Sequence, residues 1–161
     1  MTERPRIAAR KHSERPHVLI VSDEPSLAQF LNEGLPLGGF WTTVISSGLQ
    51  ALEVFRLRRF DIIVIDWELR SFNAHELIRR LRGISSRAEA SNARTNAPIA
   101  VMSEHPVDLT EGEANRLEIN RMLHAPLELD DVVAELHAMF EAWRERYPSE
   151  ALSDVPLLEK R

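Results

Sequence analysis

The feature that most constrains the fold is the alternation of short apolar runs with segments of helical periodicity along the chain. The clearest run is DIIVID at 61–66, in which four aliphatic residues stand between two acids. Short continuous runs rich in β-branched residues are typical of strands buried on both faces of a sheet. Such runs predict strands at 18–21, 41–45, 61–66, 98–103 and 121–124.

The stretches between these runs carry apolar residues at three- and four-residue spacing, which predicts amphipathic helices. The predicted helices are 26–35, 49–59, 74–82, 109–117 and 129–146. The fourth of these is weak because Gly112 lies within it. The inner face of the second helix is assigned to three apolar residues, Leu49, Leu52 and Phe55. The outer face of the third is assigned to three arginines, Arg79, Arg80 and Arg82.

Strand and helix therefore alternate five times, which predicts an α/β fold with a five-stranded parallel sheet covered on both faces. Right-handed crossovers make this a doubly wound, three-layer (βα)5 domain with flavodoxin-like topology. We place the ordered domain at 16–146, between a disordered basic arm at 1–15 and a polar tail at 147–161. The polar stretch 83–97 is predicted to be a loop.

Composition excludes several classes of protein. The chain has 161 residues and no cysteine, which rules out disulfide frameworks, thiolate metal sites and cysteine nucleophiles. It has no apolar run long enough to span a bilayer and no apolar signal-peptide core near its start, so we predict a cytoplasmic protein without membrane contact. The net charge of −5 argues against general nucleic-acid binding.

Polar side chains stand at the ends of three predicted strands. Asp23 follows the first strand, Asp66 ends the third and Ser103 ends the fourth. In doubly wound folds the ligand site lies beyond the carboxyl ends of the strands, so Asp23 and Asp66 converge if their strands are neighbours. Two carboxylates in one crevice suit Mg²⁺, and an aspartate beside Mg²⁺ can attack a phosphoryl group. The Ser103 hydroxyl would donate to a phosphoryl oxygen.

Four segments together resemble the response-regulator receiver family, over about residues 16–143. VLIVSDEP resembles the opening strand of the family, and DIIVIDWEL resembles its phosphoacceptor strand. PIAVMS resembles the fourth strand, which ends in serine or threonine, and HAPLELDDVVAEL resembles the fifth strand and last helix. The resemblance implies an open five-stranded sheet, phosphorylation from a histidine kinase, and a relaxed-to-active switch in the last two βα units.

The resemblance also implies roles for individual residues. Asp66 would be the phosphoacceptor and a ligand of Mg²⁺, and Asp23 would be a direct Mg²⁺ ligand. The backbone carbonyl of Glu68 would be a further ligand, and Ser103 would be the switch hydroxyl.

Several positions depart from the pattern of the family. Ala125 stands where the family has a lysine, and Ser22 where it has another acid. The first change predicts weaker binding of the phosphoryl group, and the second predicts weaker binding of Mg²⁺. Arg121 and His124 are candidates to replace the lysine. The other departures are Met122 at the switch aromatic, Glu104 after the hydroxyl, Arg70 for a proline and Ala74 for a glycine.

Other constellations are incomplete. His75 and Glu76 begin a zinc-protease pattern, but Arg79 stands where the second histidine belongs. No glycine-rich phosphate loop follows the first strand, and no helix-turn-helix segment follows the last helix. We therefore predict no DNA-binding domain.

Two functional hypotheses follow. In the first, the chain is a stand-alone receiver that accepts a phosphoryl group on Asp66 with Mg²⁺ and acts through protein–protein contacts. Its partners would be a histidine kinase or phosphotransfer protein and a downstream protein target. In the second, it is a degenerate pseudo-receiver that docks or dimerises without phosphorylation, and the long fifth helix is a candidate homodimer surface. Neither is an enzyme beyond its own phosphoryl transfer and dephosphorylation. A third alternative is an unrelated flavodoxin-like enzyme.

Overall fold

The structure is a computed structural model that describes residues 15–84 and 94–148. The predicted arm apart from Arg15, residues 85–93 of the predicted loop, and the predicted tail from 149 onward lie outside the described residues. Arg15 itself lies 4.3 Å from the centre of the Trp41 ring and donates to the carbonyl of Pro36.

Strands and helices alternate through the described part of the chain, with a short 3-10 turn, Leu35–Gly38, before the second strand. The strands are β1 (His17–Val21), β2 (Trp41–Ile45), β3 (Ile62–Asp66), β4 (Ile99–Ser103) and β5 (Ile119–His124). The helices are α1 (Pro25–Gly34), α2 (Gly48–Leu57), α3 (Ala74–Leu81), α4 (Glu111–Arg116) and α5 (Leu129–Arg146). None of these helices is both long enough and apolar enough to cross a membrane.

The five strands form one parallel sheet in the order β2-β1-β3-β4-β5. This confirms the predicted α/β fold with flavodoxin-like topology. β1 lies between β2 and β3, and Val21 is in register with Ile65 near the ends of β1 and β3. The order of the strands reverses at β1, so the topological switch point lies beside the carboxyl ends of β1 and β3.

A separate hydrophobic core lies on each face of the sheet. Leu19 and Val21 point into the cluster that contains buried residues of α2 and α3, whereas Val18 and Ile20 point into the cluster with residues of α1 and α5. Successive side chains of a strand point to opposite faces, so a continuous apolar run fills both layers at once. The buried runs of β1, β3 and β4 therefore hold the carboxyl ends of these strands on a rigid base.

Side chains at the helix starts explain why short helices form. Thr110 and Glu113 make a reciprocal capping box at the start of α4, which offsets the cost of Gly112 in this six-residue helix. The carboxylate of Glu24 accepts from two backbone N–H groups at the start of α1, and Asn73 caps α3. Such caps satisfy N–H groups that have no partner within the helix.

Two predicted helix faces were wrong in part. Leu49 is 57% exposed, because the inward position in the first turn of α2 belongs to Gly48, which packs against Phe72. Arg82 is only 8% exposed. It follows Ile78 by four positions, which places it on the buried face of the helix, and its guanidinium donates to backbone carbonyls.

Replacing Gly38 with alanine is expected to lower the free energy of unfolding by about 1–3 kcal/mol. A Cβ atom at Gly38 would lie 2.6 and 2.7 Å from the two methyl carbons of Val133 on α5. Rotation of this β-branched side chain cannot relieve both contacts. The matched control is Gly112→Ala, where no atom lies closer than 4.0 Å and a gain of about 0.5–1 kcal/mol is expected. Urea unfolding measures both, and a Gly38→Ala protein as stable as Gly112→Ala would contradict the packing described.

Candidate functional site

The carboxyl ends of β1, β3, β4 and β5 surround two adjoining cavities. The first has a volume of about 240 Å³, and its lining includes Asp66, Ser103 and Ala125. The second has a volume of about 430 Å³ and is lined in part by Asp23 and Asp66. The structure thus brings together the three side chains that the strand ends single out, because β3 lies between β1 and β4 in the sheet.

Asp66 is a buried carboxylate held by two hydrogen bonds. It is only 4% exposed. Its Oδ2 accepts from the Ser22 hydroxyl at 2.9 Å, and its Oδ1 accepts from the backbone N–H of Glu68 at 2.9 Å. Burial raises the pKa of Asp66, with smaller contributions from the charges of Glu68 and Asp23, while the two hydrogen bonds oppose the rise. The carboxylate is therefore oriented but sparsely solvated.

Ser22 donates a hydrogen bond to Asp66 at a position where an acidic side chain would repel the Asp66 carboxylate. Its hydroxyl donates to Asp66 and accepts from the backbone N–H of Glu24 at 3.1 Å. A second carboxylate at this position would have added negative charge beside Asp66, whereas the hydroxyl adds a neutral hydrogen bond. The serine thus makes the crevice less acidic at its deepest point.

Asp23 fixes the loop that follows β3. Its Oδ2 accepts from the backbone N–H groups of Arg70 and Ser71, both at 2.9 Å. Burial acts to raise the pKa of Asp23, but the hydrogen bonds from Ser71 and Arg70 outweigh it and leave the pKa below its ordinary value. A proline at position 70 would have no N–H to donate. The change from proline to Arg70 therefore creates one of the two bonds that hold this loop.

The side chain of Glu68 lies across the loop after β4. Its carboxylate accepts from the Ser103 hydroxyl at 3.1 Å and from the backbone N–H groups of Glu104 and His105, both at 3.2 Å. The Nδ1 atom of His105 lies 3.1 Å from the same carboxylate. Burial acts to raise the pKa of Glu68, but these hydrogen bonds lower it overall. Sequence reasoning considered only the backbone carbonyl of Glu68 and missed this role for its side chain.

Neither candidate for the missing lysine lies at the cavity. Arg121 donates from Nε to Glu135 on α5 at 2.9 Å, and it is not part of either cavity wall. His124 is exposed and is not part of either cavity wall. Neither candidate therefore lines the cavity beside Asp66, and the structure gives no support for either as a replacement for the lysine. Ala125 leaves open space beside Asp66.

The carboxylate oxygens of Asp23 and Asp66 are suitable ligands for a hard divalent cation. Each carboxylate oxygen can accept more than one bond, so Asp66 and Asp23 keep acceptor capacity beyond the bonds described. Within residues 15–84 and 94–148 no group of three or more His, Cys, Asp or Glu side chains is arranged to hold a metal ion. A bound Mg²⁺ would therefore need a backbone carbonyl and water in addition to the two carboxylates, which is common for this ion.

The order of the strands and the crevice beside β1 and β3 define a doubly wound domain of flavodoxin-like topology. The family model for the response regulator receiver domain matches residues 18–137, and the chain belongs to this family. It is a receiver domain of two-component signalling, and the family is not a classical enzyme class.

Solved structures and curated relatives agree with this assignment. The receiver domain of the Francisella response regulator 1452 is 26% identical, with a TM-score of 0.64 over 80% of this chain and 98% of that one. A sensor protein from Polaromonas sp. JS666 is 30% identical, with the same coverages and a TM-score of 0.64. The DNA-binding response regulator MtrA of Mycolicibacterium smegmatis is 41% identical over 71 residues, which are 44% of this chain and 31% of MtrA. The match thus spans about a third of the length of MtrA.

Proposed function

We propose that this receiver domain accepts a phosphoryl group on Asp66, from a histidine kinase or a phosphotransfer protein, and acts on a downstream protein by direct contact. The segment 16–146 is the functional unit in this proposal. The observation that carries it is the placement of Asp66, which is buried at the end of β3, oriented by two hydrogen bonds, and open to a cavity shared with Ser103.

The transfer would proceed by attack of an Asp66 carboxylate oxygen on the phosphorus of the donor. A P–O bond forms to Asp66 as the P–N bond of the phosphohistidine breaks, and the bonding electron pair stays on the histidine nitrogen. Asp66, Asp23 and the backbone carbonyl of Glu68 would hold Mg²⁺, which supplies positive charge against the approaching anion. The Ser103 hydroxyl would donate to a phosphoryl oxygen once the group is in place.

Incubation with acetyl phosphate and Mg²⁺ is expected to add one phosphoryl group to the parent protein and none to Asp66→Asn. Intact mass spectrometry measures the gain. The matched control is Asp61→Asn, which makes the same change at the residue directly before β3, where the carboxylate accepts from the N–H of His17. This control should gain the phosphoryl group as the parent does. A phosphorylated Asp66→Asn protein would contradict the site, and a folded parent that gains no mass would contradict the function.

The second candidate is a docking module that works without phosphorylation. Two observations favour it. The single proton of the Ser103 hydroxyl already has acceptors in the His105 carbonyl and the Glu68 carboxylate, and Ala125 stands where the family has a lysine. In this case the protein would bind its partner with the same affinity before and after treatment with acetyl phosphate. The long helix α5 is the homodimer surface to test by sedimentation.

A further inference from the structure

The loop Ser103–Glu104–His105 presents a cluster of donors to one anion. These donors are the hydroxyl of Ser103, the backbone N–H groups of Glu104 and His105, and Nδ1 of His105 when it carries a proton. Converging N–H and O–H groups of this kind bind oxyanions, since each charged hydrogen bond is stronger than a neutral one. The anion that they hold in this structure is the carboxylate of Glu68.

The hydroxyl of Ser103 is committed by these contacts. A serine hydroxyl has one proton to donate, and its donor directions here are the Glu68 carboxylate and the carbonyl oxygen of His105. Its oxygen also accepts from the N–H of His105 at 3.1 Å. The Ser103 hydroxyl is therefore not free to donate to a phosphoryl oxygen at Asp66. The negative charge of the Glu68 carboxylate also lies beside this hydroxyl.

We propose that the Glu68 carboxylate is a tethered competitor of the phosphoryl group. The carboxylate occupies the oxyanion donors of the Ser103–His105 loop until a phosphoryl group on Asp66 displaces it. This inference rests on the proposed function of Asp66. The side chain of Glu68 is 37% exposed, so it can turn into water without unfolding the loop. The same contacts hold the loop after β4 toward β3 in the absence of phosphorylation.

The test uses beryllofluoride, a phosphoryl analogue, with Mg²⁺ on the full chain. Glu68→Ala is expected to bind it about tenfold more tightly than the parent, because the variant removes both the competing hydrogen bonds and the charge. Glu68→Gln should lie between the two, because an amide oxygen still accepts but carries no charge. Asp108→Ala is the matched control, since it removes one negative charge from the exposed segment that follows this loop and should leave the affinity within about twofold of the parent.

A second measurement tests the hydrogen bonds between the Glu68 carboxylate and the backbone N–H groups of Glu104 and His105. Amide hydrogen exchange at Glu104 and His105 should be faster in Glu68→Ala than in the parent, and unchanged in Asp108→Ala. Equal beryllofluoride affinity in parent and Glu68→Ala, or unchanged exchange at both amides, would overturn the tethered competitor while leaving Asp66 as the phosphoacceptor. A parent that neither gains mass with acetyl phosphate nor binds beryllofluoride in any variant would overturn both proposals.

Discussion

Arg82→Leu is expected to lower the free energy of unfolding by about 3 kcal/mol. The Arg82 guanidinium donates to three backbone carbonyls, those of Leu117 at 2.9 Å, Thr95 at 3.0 Å and Glu118 at 2.7 Å. Leucine preserves much of the buried volume but leaves these carbonyls without their donor, and an unsatisfied buried polar group costs about 1–3 kcal/mol. Denaturant unfolding followed by circular dichroism measures the loss.

The physical reason for the size of this effect is the burial of the guanidinium. Burial lowers the pKa of Arg82 to about 10, against opposing contributions from Glu118 and Tyr147, so the group stays charged at neutral pH. It links the end of α3 to the turn before β5, where Glu118 has a positive φ of 55° that this hydrogen bond helps to hold.

Arg79→Leu is the matched control, because it makes the same change three residues earlier, in the last turn of α3, which Arg82 follows directly. Arg79 pairs only with Glu76 of its own helix in the contacts described, at 3.6 Å, and pairs of this type contribute about 0–1 kcal/mol. Arg82→Lys should be intermediate, since an ammonium group lacks the planar fork that reaches several carbonyls at once. Equal stability of Arg79→Leu and Arg82→Leu would refute the structural role assigned to Arg82.

Ala125→Lys is expected to tighten the binding of beryllofluoride by about 10–100-fold in the presence of Mg²⁺. Ala125 lines the 240 Å³ cavity together with Asp66 and Ser103, so an ammonium group placed there has space beside the phosphoryl position. One hydrogen bond to a charged group contributes about 1.5–3 kcal/mol, and each 1.4 kcal/mol is a tenfold change in affinity. A fluorescence or calorimetric titration measures the change.

Ala125→Met separates charge from volume. Methionine fills the same cavity with a side chain of similar length and no charge, so it should not tighten binding. If the methionine variant binds as tightly as the lysine variant, the gain comes from packing and not from the ammonium group. If neither differs from the parent, the missing lysine is not what limits this site, and Glu68 becomes the principal obstacle.

Most of the fold could be predicted from the order of the residues. The apolar run of β3 between two acids, and the spacing of Val132, Leu136 and Phe140 on α5, depend on local periodicity alone. The convergence of Asp66 and Asp23 could be anticipated too, because parallel strands that are neighbours end at the same edge of a sheet. The roles of these residues in phosphoryl transfer stay predictions until acetyl phosphate is tried.

The long-range polar contacts could not be predicted. Glu68 and Ser103 are 35 residues apart, as are Arg82 and Leu117, and each pair meets only because β3, β4 and β5 lie side by side. Periodicity reports which face of an element is apolar, so it misassigned Arg82, whose buried position is stabilised by carbonyls from a distant turn. The amino-acid order thus determines the layers and the crevice, through local patterns of apolar and polar residues. The partner of each charged side chain within the crevice depends on three-dimensional distances, which only the packed sheet establishes.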